Sequence, residues 1–291
     1  MHNTHIVFPF EYYAPMSVPE ACDLLDKLDD VRILAGGTDL IPKIKEAALR
    51  PKQVVNLKKI PGLTGVEEKD GTIKIGALTK IRDVERSLLV QESANILYQA
   101  VHTIGSVQIR NLATIGGNIC NASPAADSAA ALIALDATVH LVGPTSVRSI
   151  SFEDFFVGPG KTVLLKNEIL TDIVFPTPAR NSYGYYRKIG RVSLDLATTS
   201  LAVQTKMSRS RLEDVRIVAG SVAPVPLRLK SIEDWLKGQD LNPSIIGEAA
   251  NRASDFIKPI DDIRGSAEYR RELIKGLTRE AFETILEEEK R

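Results

Sequence analysis

Apolar positions in the first 57 residues follow helical spacing and strand spacing in turn. Four apolar residues within 21–28 repeat at i, i+3, i+4 and i+7, which predicts a helix with one buried face. Ser17 and Glu20 have the spacing of a capping box, so this helix is expected to begin at Ser17. Short apolar runs at Val31 to Leu34 and at Gln53 to Leu57 predict two strands.

A second helix is predicted between these two strands. Thr38 has the hydroxyl side chain of a helix cap, and Pro42 is tolerated in a first turn. Ile41, Ile44 and Ala48 then fall on one face, which is expected to pack inward. The first 57 residues are therefore interpreted as a compact unit of helices and strands.

Prolines and a Pro-Gly pair mark two boundaries in the rest of the chain, at residues 61–62 and at residues 176–178. The domains expected from them are residues 1–177, in two parts of about 1–57 and 58–177, and residues 178–291.

The elements predicted after the first boundary are strands at 72–77, 137–142, 147–150 and 168–175, a turn at 160–162, and helices near 81–89 and 94–101. After the second boundary they are strands at 196–206 and 215–222, a turn near 208–210, and helices at 232–236, 245–256 and 267–287. The stretch 105–127, rich in Gly, Asn, Ser and Ala, follows neither period and is predicted to be a functional loop, with a solvated loop as the alternative.

Composition and charge exclude several classes of protein. The 37 Lys and Arg balance 37 Asp and Glu, so the formal net charge is zero and no nucleic-acid partner is expected. The longest stretch without charged residues, Asn111 to Ala126, has 16 residues, so no membrane span is expected. Residues 1–7 carry no Lys or Arg before a hydrophobic run, and no signal peptide is expected. The two cysteines, Cys22 and Cys120, are too few for a disulfide framework, which favours a reducing, cytoplasmic compartment.

Two glycine-containing segments are the candidates for chemistry. Residues 33–40 run from a predicted strand through a Gly-Gly turn into a predicted helix, where consecutive N–H groups can bind a phosphate. An ordinary tight turn is the alternative for this segment alone. Residues 114–118 again offer backbone N–H groups, and Asp127 is an acceptor suited to a ribose or polyol hydroxyl. Two such segments indicate a dinucleotide, which has two phosphates to bind.

Other familiar site motifs do not occur in the sequence. There is no G-x-G-x-x-G, the first glycine of a Walker A loop would fall at Phe155, and HExxH, CxxC and G-x-S-x-G are lacking. Nothing near Cys120 in the sequence would lower its pKa, so it is not predicted to be a nucleophile. No catalytic side chain and no metal ligand are therefore predicted.

Five segments, in their order along the chain, resemble the FAD-binding medium subunit of molybdenum hydroxylases, the xanthine dehydrogenase and carbon monoxide dehydrogenase flavoprotein family. The resemblance covers nearly the whole chain. The segments are Ala35-Gly36-Gly37-Thr38-Asp39, Ile104 to Asn111, Thr114 to Asn118, Gly220 to Arg228, and Tyr269-Arg270-Arg271.

The resemblance implies an α+β fold. A PCMH-type FAD-binding domain in two subdomains, similar to vanillyl-alcohol oxidase, would be followed by a C-terminal α+β domain with an antiparallel sheet and helices. It also implies which residues lie near FAD. Those that would wrap its pyrophosphate from the N-terminal part are Ile33, Leu34, Ala35, Gly36, Gly37, Thr38, Asp39 and Leu40. Those that would close on it from the middle part are Thr114, Ile115, Gly116, Gly117 and Asn118.

By the same resemblance, Asp127 would hold an FAD hydroxyl, and Ile104 and Leu170 would lie against the flavin. Lys188 would approach the cofactor from the C-terminal domain, with its neighbour Arg187 as the alternative by one residue of register. The residues by themselves do not choose flavin over another dinucleotide, and that choice comes from the resemblance.

The function implied is an FAD-dependent oxidoreductase subunit in a hetero-oligomer. It would receive electrons from [2Fe-2S] clusters on a small partner subunit and pass them to NAD or another acceptor. The substrate would react at molybdopterin on a large partner subunit. Two cysteines cannot supply the four ligands of an additional iron–sulfur cluster, which one branch of the family carries in this subunit. The alternatives are a stand-alone FAD-dependent oxidoreductase of the same fold and a non-catalytic nucleotide-binding assembly subunit.

Overall fold

The computed structural model describes residues 8–192 and 194–290. The predicted absence of a signal peptide concerns residues 1–7, which lie outside these ranges. The first unit is a parallel sheet in the order β1-β3-β2, with a helix in each connection, as parallel neighbours require. Its elements are β1 (Glu11–Tyr13), α1 (Val18–Lys27), β2 (Val31–Leu34), α2 (Leu40–Lys45) and β3 (Gln53–Asn56).

The first helix and both predicted strands of this unit are confirmed. The Ser17 hydroxyl accepts a hydrogen bond from the Glu20 N–H, so α1 begins where the capping box predicted. Ala21, Cys22 and Leu25 form the buried face of α1 and pack toward β3. Cys22 is thus a small residue of the core.

The predicted cap and inner face of the second helix are wrong in part. The helix α2 begins after Asp39, and the Ile41 N–H that a Thr38 cap would bind already donates to the Gly37 carbonyl, at 3.0 Å. The helix ends at Lys45, because the chain turns through a positive φ of 59° at Ala47. Ala48 is therefore exposed, outside the helix, and Ile44 alone is fully buried on the inner face.

The second unit is an antiparallel five-stranded sheet in the order β4-β5-β10-β6-β7, with helices packed on one face. Its strands are β4 (Val66–Lys69), β5 (Thr72–Gly76), β6 (Thr138–Val142), β7 (Val147–Ser151) and β10 (Ile169–Pro176). Its helices are α3 (Ile81–Arg86), α4 (Leu88–Ser93), α5 (Asn95–His102), α6 (Val107–Arg110), α7 (Ile115–Cys120) and α8 (Asp127–Ala134). The turn predicted at 160–162 lies at residues 159 and 160, between the short strands β8 (Phe156–Gly158) and β9 (Lys161–Thr162), so Lys161 and Thr162 are strand residues.

Two predictions for this unit need correction. The single helix predicted near 81–89 is two helices, because the chain is extended at Ser87, whose hydroxyl then caps α4. The stretch predicted to be a loop at 105–127 contains α6 and α7 and leads into α8. All eight residues of α8 are buried, so this helix shows no polar face and no amphipathic period in the sequence.

The third unit is an antiparallel sheet in the order β11-β12-β13-β14, with three helices. The predicted hairpin at 208–210 is confirmed, with positive φ at Arg209 and Ser210. The elements are β11 (Ser182–Ile189), β12 (Thr199–Ser208), β13 (Arg211–Gly220), β14 (Leu227–Arg228), α9 (Lys230–Leu236), α10 (Pro243–Phe256) and α11 (Ala267–Glu289).

The edge strand β11 joins the third unit to the second. The side chain of Gln99, on α5, donates to the Gly184 carbonyl (3.2 Å) and accepts from the Tyr186 N–H (2.7 Å), so it takes the place of a further strand. A side chain at Gly184 would place its Cβ 2.8 Å from the Cβ of Ile96, so the close contact of α5 with β11 requires glycine there. The fold is therefore a mixed α+β architecture, and the domain division at residues 177 and 178 stays a prediction.

We expect Gly116→Ala to destabilise the protein by about 1 to 3 kcal/mol, because the new Cβ would overpack the contact of α7 with β5. That Cβ would lie 2.7 Å from both the Cβ and the carbonyl oxygen of Ala77. Gly276→Ala is the matched control, since its Cβ would meet nothing within 4 Å on the exposed side of α11. It should raise stability by up to about 1 kcal/mol, as alanine favours helix. Urea unfolding of both variants measures the difference, and equal stabilities would contradict the packing argument.

Candidate cofactor site

The structure brings together the first glycine segment (residues 33–40) and the second (residues 114–118). A Cβ on Gly36 would lie 2.4 Å from the Leu112 carbonyl oxygen and 2.8 Å from the Cα of Ala113, so this approach of two backbones requires glycine. A Cβ on Gly117 would lie 3.7 Å from the Cβ of Ala35. The two segments thus form adjacent walls, as one ligand held by both would need.

Side-chain hydrogen bonds reinforce this contact at one end. The amide of Asn121, just after α7, donates to the carboxylate of Asp39 at 3.4 Å, and its oxygen accepts from the Lys43 ammonium at 3.2 Å. Lys43 lies on α2, so the helix that follows the first segment is tied to the chain that follows the second. The lysine also adds a positive charge beside the first segment.

The first segment has free backbone donors. The N–H groups of Gly36, Gly37, Thr38 and Asp39 find no acceptor within the described part of the chain. Gly37 has a φ of +79°, which turns the backbone as successive N–H groups around one anion require. Residues 34–38 are half-buried. Because an N–H group without a partner is costly away from water, this turn is suited to bind phosphate oxygens.

The second segment differs from its prediction, because its backbone N–H groups are already used. Those of residues 115–118 all donate within the protein: two bind the carbonyls of Ala77 and Thr79, and two bind oxygens of Thr114, at 2.8 to 3.1 Å. The Asn118 side chain accepts from Ser128 at 2.7 Å through its oxygen, so its NH₂ group is the donor that this segment offers. The segment therefore contributes a glycine surface that lies close to the first segment, and it does not contribute free backbone N–H groups.

Asp127 forms a buried cluster with two residues of β11. Its carboxylate accepts from the Tyr186 hydroxyl at 2.6 Å and from the Lys188 ammonium at 3.0 Å, and the same ammonium donates to the Thr103 carbonyl at 2.7 Å. Burial raises the pKa of Asp127 above its ordinary value, although the Lys188 charge and the Tyr186 hydrogen bond act in the other direction. Burial, followed by the adjacent Asp127 charge, also raises the pKa of Tyr186.

The two register alternatives, Lys188 and Arg187, point to different neighbours. Successive side chains of a strand alternate between its faces. Lys188 is directed to Asp127, whereas Arg187 pairs with Glu280 of α11. Of the two, Lys188 is the residue in contact with the second unit, which contains the second glycine segment. Tyr186 lies two residues before Lys188 and therefore on the same face of β11. The sequence did not predict Tyr186 as a site residue, because β11 was not predicted, and a spacing of two places residues on one face only in a strand.

A cleft of about 620 Å³ opens beside this cluster, and we call it the β11 cleft. One wall is the stretch from His102 to Arg110, and the other is the end of β11 with residues 190–192 and 194. Ile104 and Leu170 are both nearly buried, and both belong to the large apolar core of the second unit. Their expected position against a flavin, like the roles of the other site residues, stays a prediction.

Three further observations concern metal binding, membrane spanning and thiol reactivity. Among residues 8–192 and 194–290, no group of three or more His, Cys, Asp or Glu side chains could hold a metal ion. No helix in the same ranges has both the length and the apolar character needed to cross a membrane. Burial raises the pKa of the Cys120 thiol to about 12, so little reactive thiolate forms near neutral pH.

Family models match both parts of the chain. The model for the FAD binding domain in molybdopterin dehydrogenase matches residues 8–178, and the model for the CO dehydrogenase flavoprotein C-terminal domain matches residues 184–285. The class defined by fold and site is therefore a flavoprotein subunit with an FAD-binding domain.

Relatives and solved structures match over nearly the whole length. The glyceraldehyde dehydrogenase medium chain of Sulfolobus acidocaldarius is 36% identical, over 95% of this chain and 98% of the relative. The carbon monoxide dehydrogenase medium chain of Hydrogenophaga pseudoflava is 34% identical, over 94% of this chain and 96% of the relative. A crystal structure of that dehydrogenase lacking the Mo-pyranopterin moiety of its cofactor superposes with a TM-score of 0.93 and 34% identity, over 96% of this chain and 98% of the other. The chain belongs to the FAD-binding medium subunits of molybdenum hydroxylases, as the resemblance implied.

We expect Lys188→Met to destabilise the protein by about 3 to 5 kcal/mol at neutral pH, because it leaves the buried Asp127 carboxylate without its cation. The loss should shrink as the pH falls from 8 to 5. The Lys188 charge acts to lower the pKa of Asp127, so its removal raises that folded-state pKa further above the unfolded value, and protonation at low pH then stabilises the variant more than the wild type. Lys206→Met is the control, since its partner Glu213 is exposed, and it should change stability by at most about 1 kcal/mol. Urea unfolding at both pH values tests this, and a loss equal to that of the control would contradict it.

Proposed function

We propose that this chain is the electron-transferring flavoprotein subunit of a molybdenum hydroxylase complex, with FAD held between the two glycine segments. The observation that carries the proposal is the row of free N–H groups at Gly36 to Asp39, set directly against residues 112–118. A pyrophosphate supplies the acceptors that these donors lack. The match to an FAD-binding domain over residues 8–178 supports FAD as the dinucleotide.

The chain's own residues would divide the binding of FAD among them. Residues 33–40 bind the pyrophosphate through the backbone, and residues 114–118 close on it with glycine surface and the Asn118 amide. Asp127 holds a hydroxyl group of the cofactor, since each carboxylate oxygen can accept a second hydrogen bond beyond those from Tyr186 and Lys188. Ile104 and Leu170 exclude water from the flavin. Bound FAD supplies the redox chemistry, and the protein binds and orients it.

The remaining parts of the proposal concern partners. We propose that electrons arrive from [2Fe-2S] clusters on a small subunit, leave to NAD or another acceptor, and originate at molybdopterin on a large subunit. Relatives named as medium chains of carbon monoxide and glyceraldehyde dehydrogenases support membership in such a complex. The free thiols of Cys22 and Cys120 support a reducing, cytoplasmic compartment. Among the described residues, neither cysteine belongs to a group of three or more His, Cys, Asp or Glu side chains that could hold a metal, which favours clusters on other chains.

We expect the purified chain to bind one equivalent of FAD and Gly37→Ala to weaken that binding about tenfold, because the residue has φ +79° and its N–H is one of the proposed donors. Gly62→Ala is the matched control, since Gly62 has the same φ of +79° but lies outside both glycine segments. It should lose the stability that a Cβ costs at this positive φ and keep its affinity for FAD, since its Cβ would meet nothing within 4 Å. Titration of the apoprotein with FAD, followed by flavin fluorescence, measures both. A wild-type chain that binds no FAD would overturn the proposal.

We also expect iron and molybdenum to co-purify with this chain when it is expressed with its partners, and to separate from it with them. The chain alone should then contain flavin and no iron, because its described residues hold no ligand set for a cluster. Metal analysis of the intact complex and of the isolated chain checks this. Turnover of an organic substrate by the isolated chain would favour the stand-alone oxidoreductase instead.

A further inference from the structure

A buried arginine fixes the wall of the β11 cleft that Thr103 and Gly105 border, on either side of the nearly buried Ile104. The Arg110 side chain on α6 is nearly buried, and its guanidinium donates to the Ile104 carbonyl at 3.1 Å and the Gly105 carbonyl at 3.2 Å. Lys188 donates to the preceding carbonyl, that of Thr103, at 2.7 Å. Three consecutive carbonyl groups of residues 103–105, which we call the cleft loop, are therefore held by two cations.

The arginine is in turn held by a carboxylate. Glu85 of α3 is 4% exposed, and its oxygens accept from Arg110 Nε at 2.9 Å and Nη2 at 3.4 Å. It also binds Arg82 and His102, each at 2.8 Å. Burial acts to raise the pKa of Glu85, but the hydrogen bonds from Arg82, Arg110 and His102 outweigh it and hold the pKa below its ordinary value. Glu85 is therefore charged at neutral pH, and the guanidinium has one fixed orientation.

The cleft loop needs such a support, because its backbone cannot be fixed by a regular hydrogen-bond ladder. Gly105 has a φ of +48°, and a Cβ there would lie 3.2 Å from the Ile109 side chain. The loop connects α5 to α6 and borders the cleft with Thr103, Gly105 and Ser106. A planar guanidinium can bind a carboxylate on one edge and carbonyl groups with a remaining N–H, which an ammonium cannot do in the same geometry.

We infer that Arg110 is a positioning residue for the flavin: oriented by Glu85, it holds the cleft loop so that Ile104 is presented to the cofactor. The inference rests on the proposed function, since it takes FAD as the ligand of the site. Arg110 acts through the backbone of Ile104 and Gly105. It sets the shape and dryness of the flavin surroundings and takes no part in electron transfer.

The test compares Arg110→Lys with a matched arginine elsewhere. Arg148 on β7 has a similar but more exposed arrangement: it binds the buried Glu168 through two nitrogens, at 2.7 and 2.6 Å, and a single carbonyl, that of Val163, at 2.6 Å. None of these three residues borders the β11 cleft. Glu85→Gln is a second and milder variant, which keeps an acceptor for Arg110 without the charge. All are made in the full chain and reconstituted with FAD.

We expect Arg110→Lys to weaken FAD binding about tenfold, the effect of losing a charge-assisted hydrogen bond. The visible flavin bands should move toward those of free FAD in water, and Glu85→Gln should change both in the same direction by less. In the apoproteins, amide hydrogen exchange at residues 103–107 should rise in both variants. Arg148→Lys should leave all three readouts at the wild-type values.

The inference is overturned if Arg110→Lys has wild-type FAD affinity, flavin bands and loop exchange, or if Arg148→Lys shifts the flavin readouts equally. Failure of the proposed function looks different, because the wild-type chain would then bind no FAD. The exchange measurement needs no cofactor, so in that case it still reports whether Arg110 and Glu85 hold the cleft loop.

Discussion

The buried ion pair between Asp127 and Lys188 is the interaction on which the arrangement of this molecule depends. Asp127 opens a helix with no exposed residue, and Lys188 lies near the end of the edge strand of a different sheet. Two charges removed from water are tolerable only when each meets the other in good geometry. The pair therefore fixes the end of β11 relative to the start of α8, and the same placement brings the Tyr186 hydroxyl to this carboxylate and the Lys188 ammonium to the cleft loop.

The glycine segments are positioned by residues that lack a side chain, whereas β11 is positioned by the Asp127–Lys188 ion pair. Gly36 passes a neighbouring backbone at a distance that no side chain would allow, and Gly116 does the same against Ala77. Close passage leaves little room for movement, so the free N–H groups of the first segment are held in place before any ligand arrives. Preorganised donors lose little conformational entropy on binding. The geometry of the proposed pyrophosphate site thus follows from backbone packing, reinforced at one end by the Asn121 side chain that binds Asp39.

Sequence reasoning succeeded where an element has two unlike faces. The helix α1, the two predicted strands of the first unit and the 208–210 hairpin have a cap, a short apolar run or a turn signal, and all are confirmed, whereas β1 was missed. It failed for α8, which is buried on every side, and for β11, where two adjacent tyrosines and the Lys188 side chain are buried in place of a simple alternation of apolar and polar residues. It also assigned free N–H groups to residues 115–118, since the acceptors that use them, Ala77 and Thr79, are far away in the sequence. Long-range hydrogen bonds of this kind leave no local pattern.

The same limit explains why candidate site residues could be named from the sequence while the groups that hold them could not. Gly36, Asp127 and Lys188 belong to short motifs that can be read along the chain. The side chains that hold the residues around the site come from distant parts of the sequence: Asn121 binds Asp39, Tyr186 binds Asp127, and Glu85 binds Arg110. Such a division is physically reasonable for a subunit whose cofactor supplies the reactive atoms, because the protein then needs accurate placement more than acid or base strength. Arg110, which is buried beside the cleft and bound to two backbone carbonyls, therefore acts by positioning the cleft loop. A search for proton donors and acceptors would not identify such a residue.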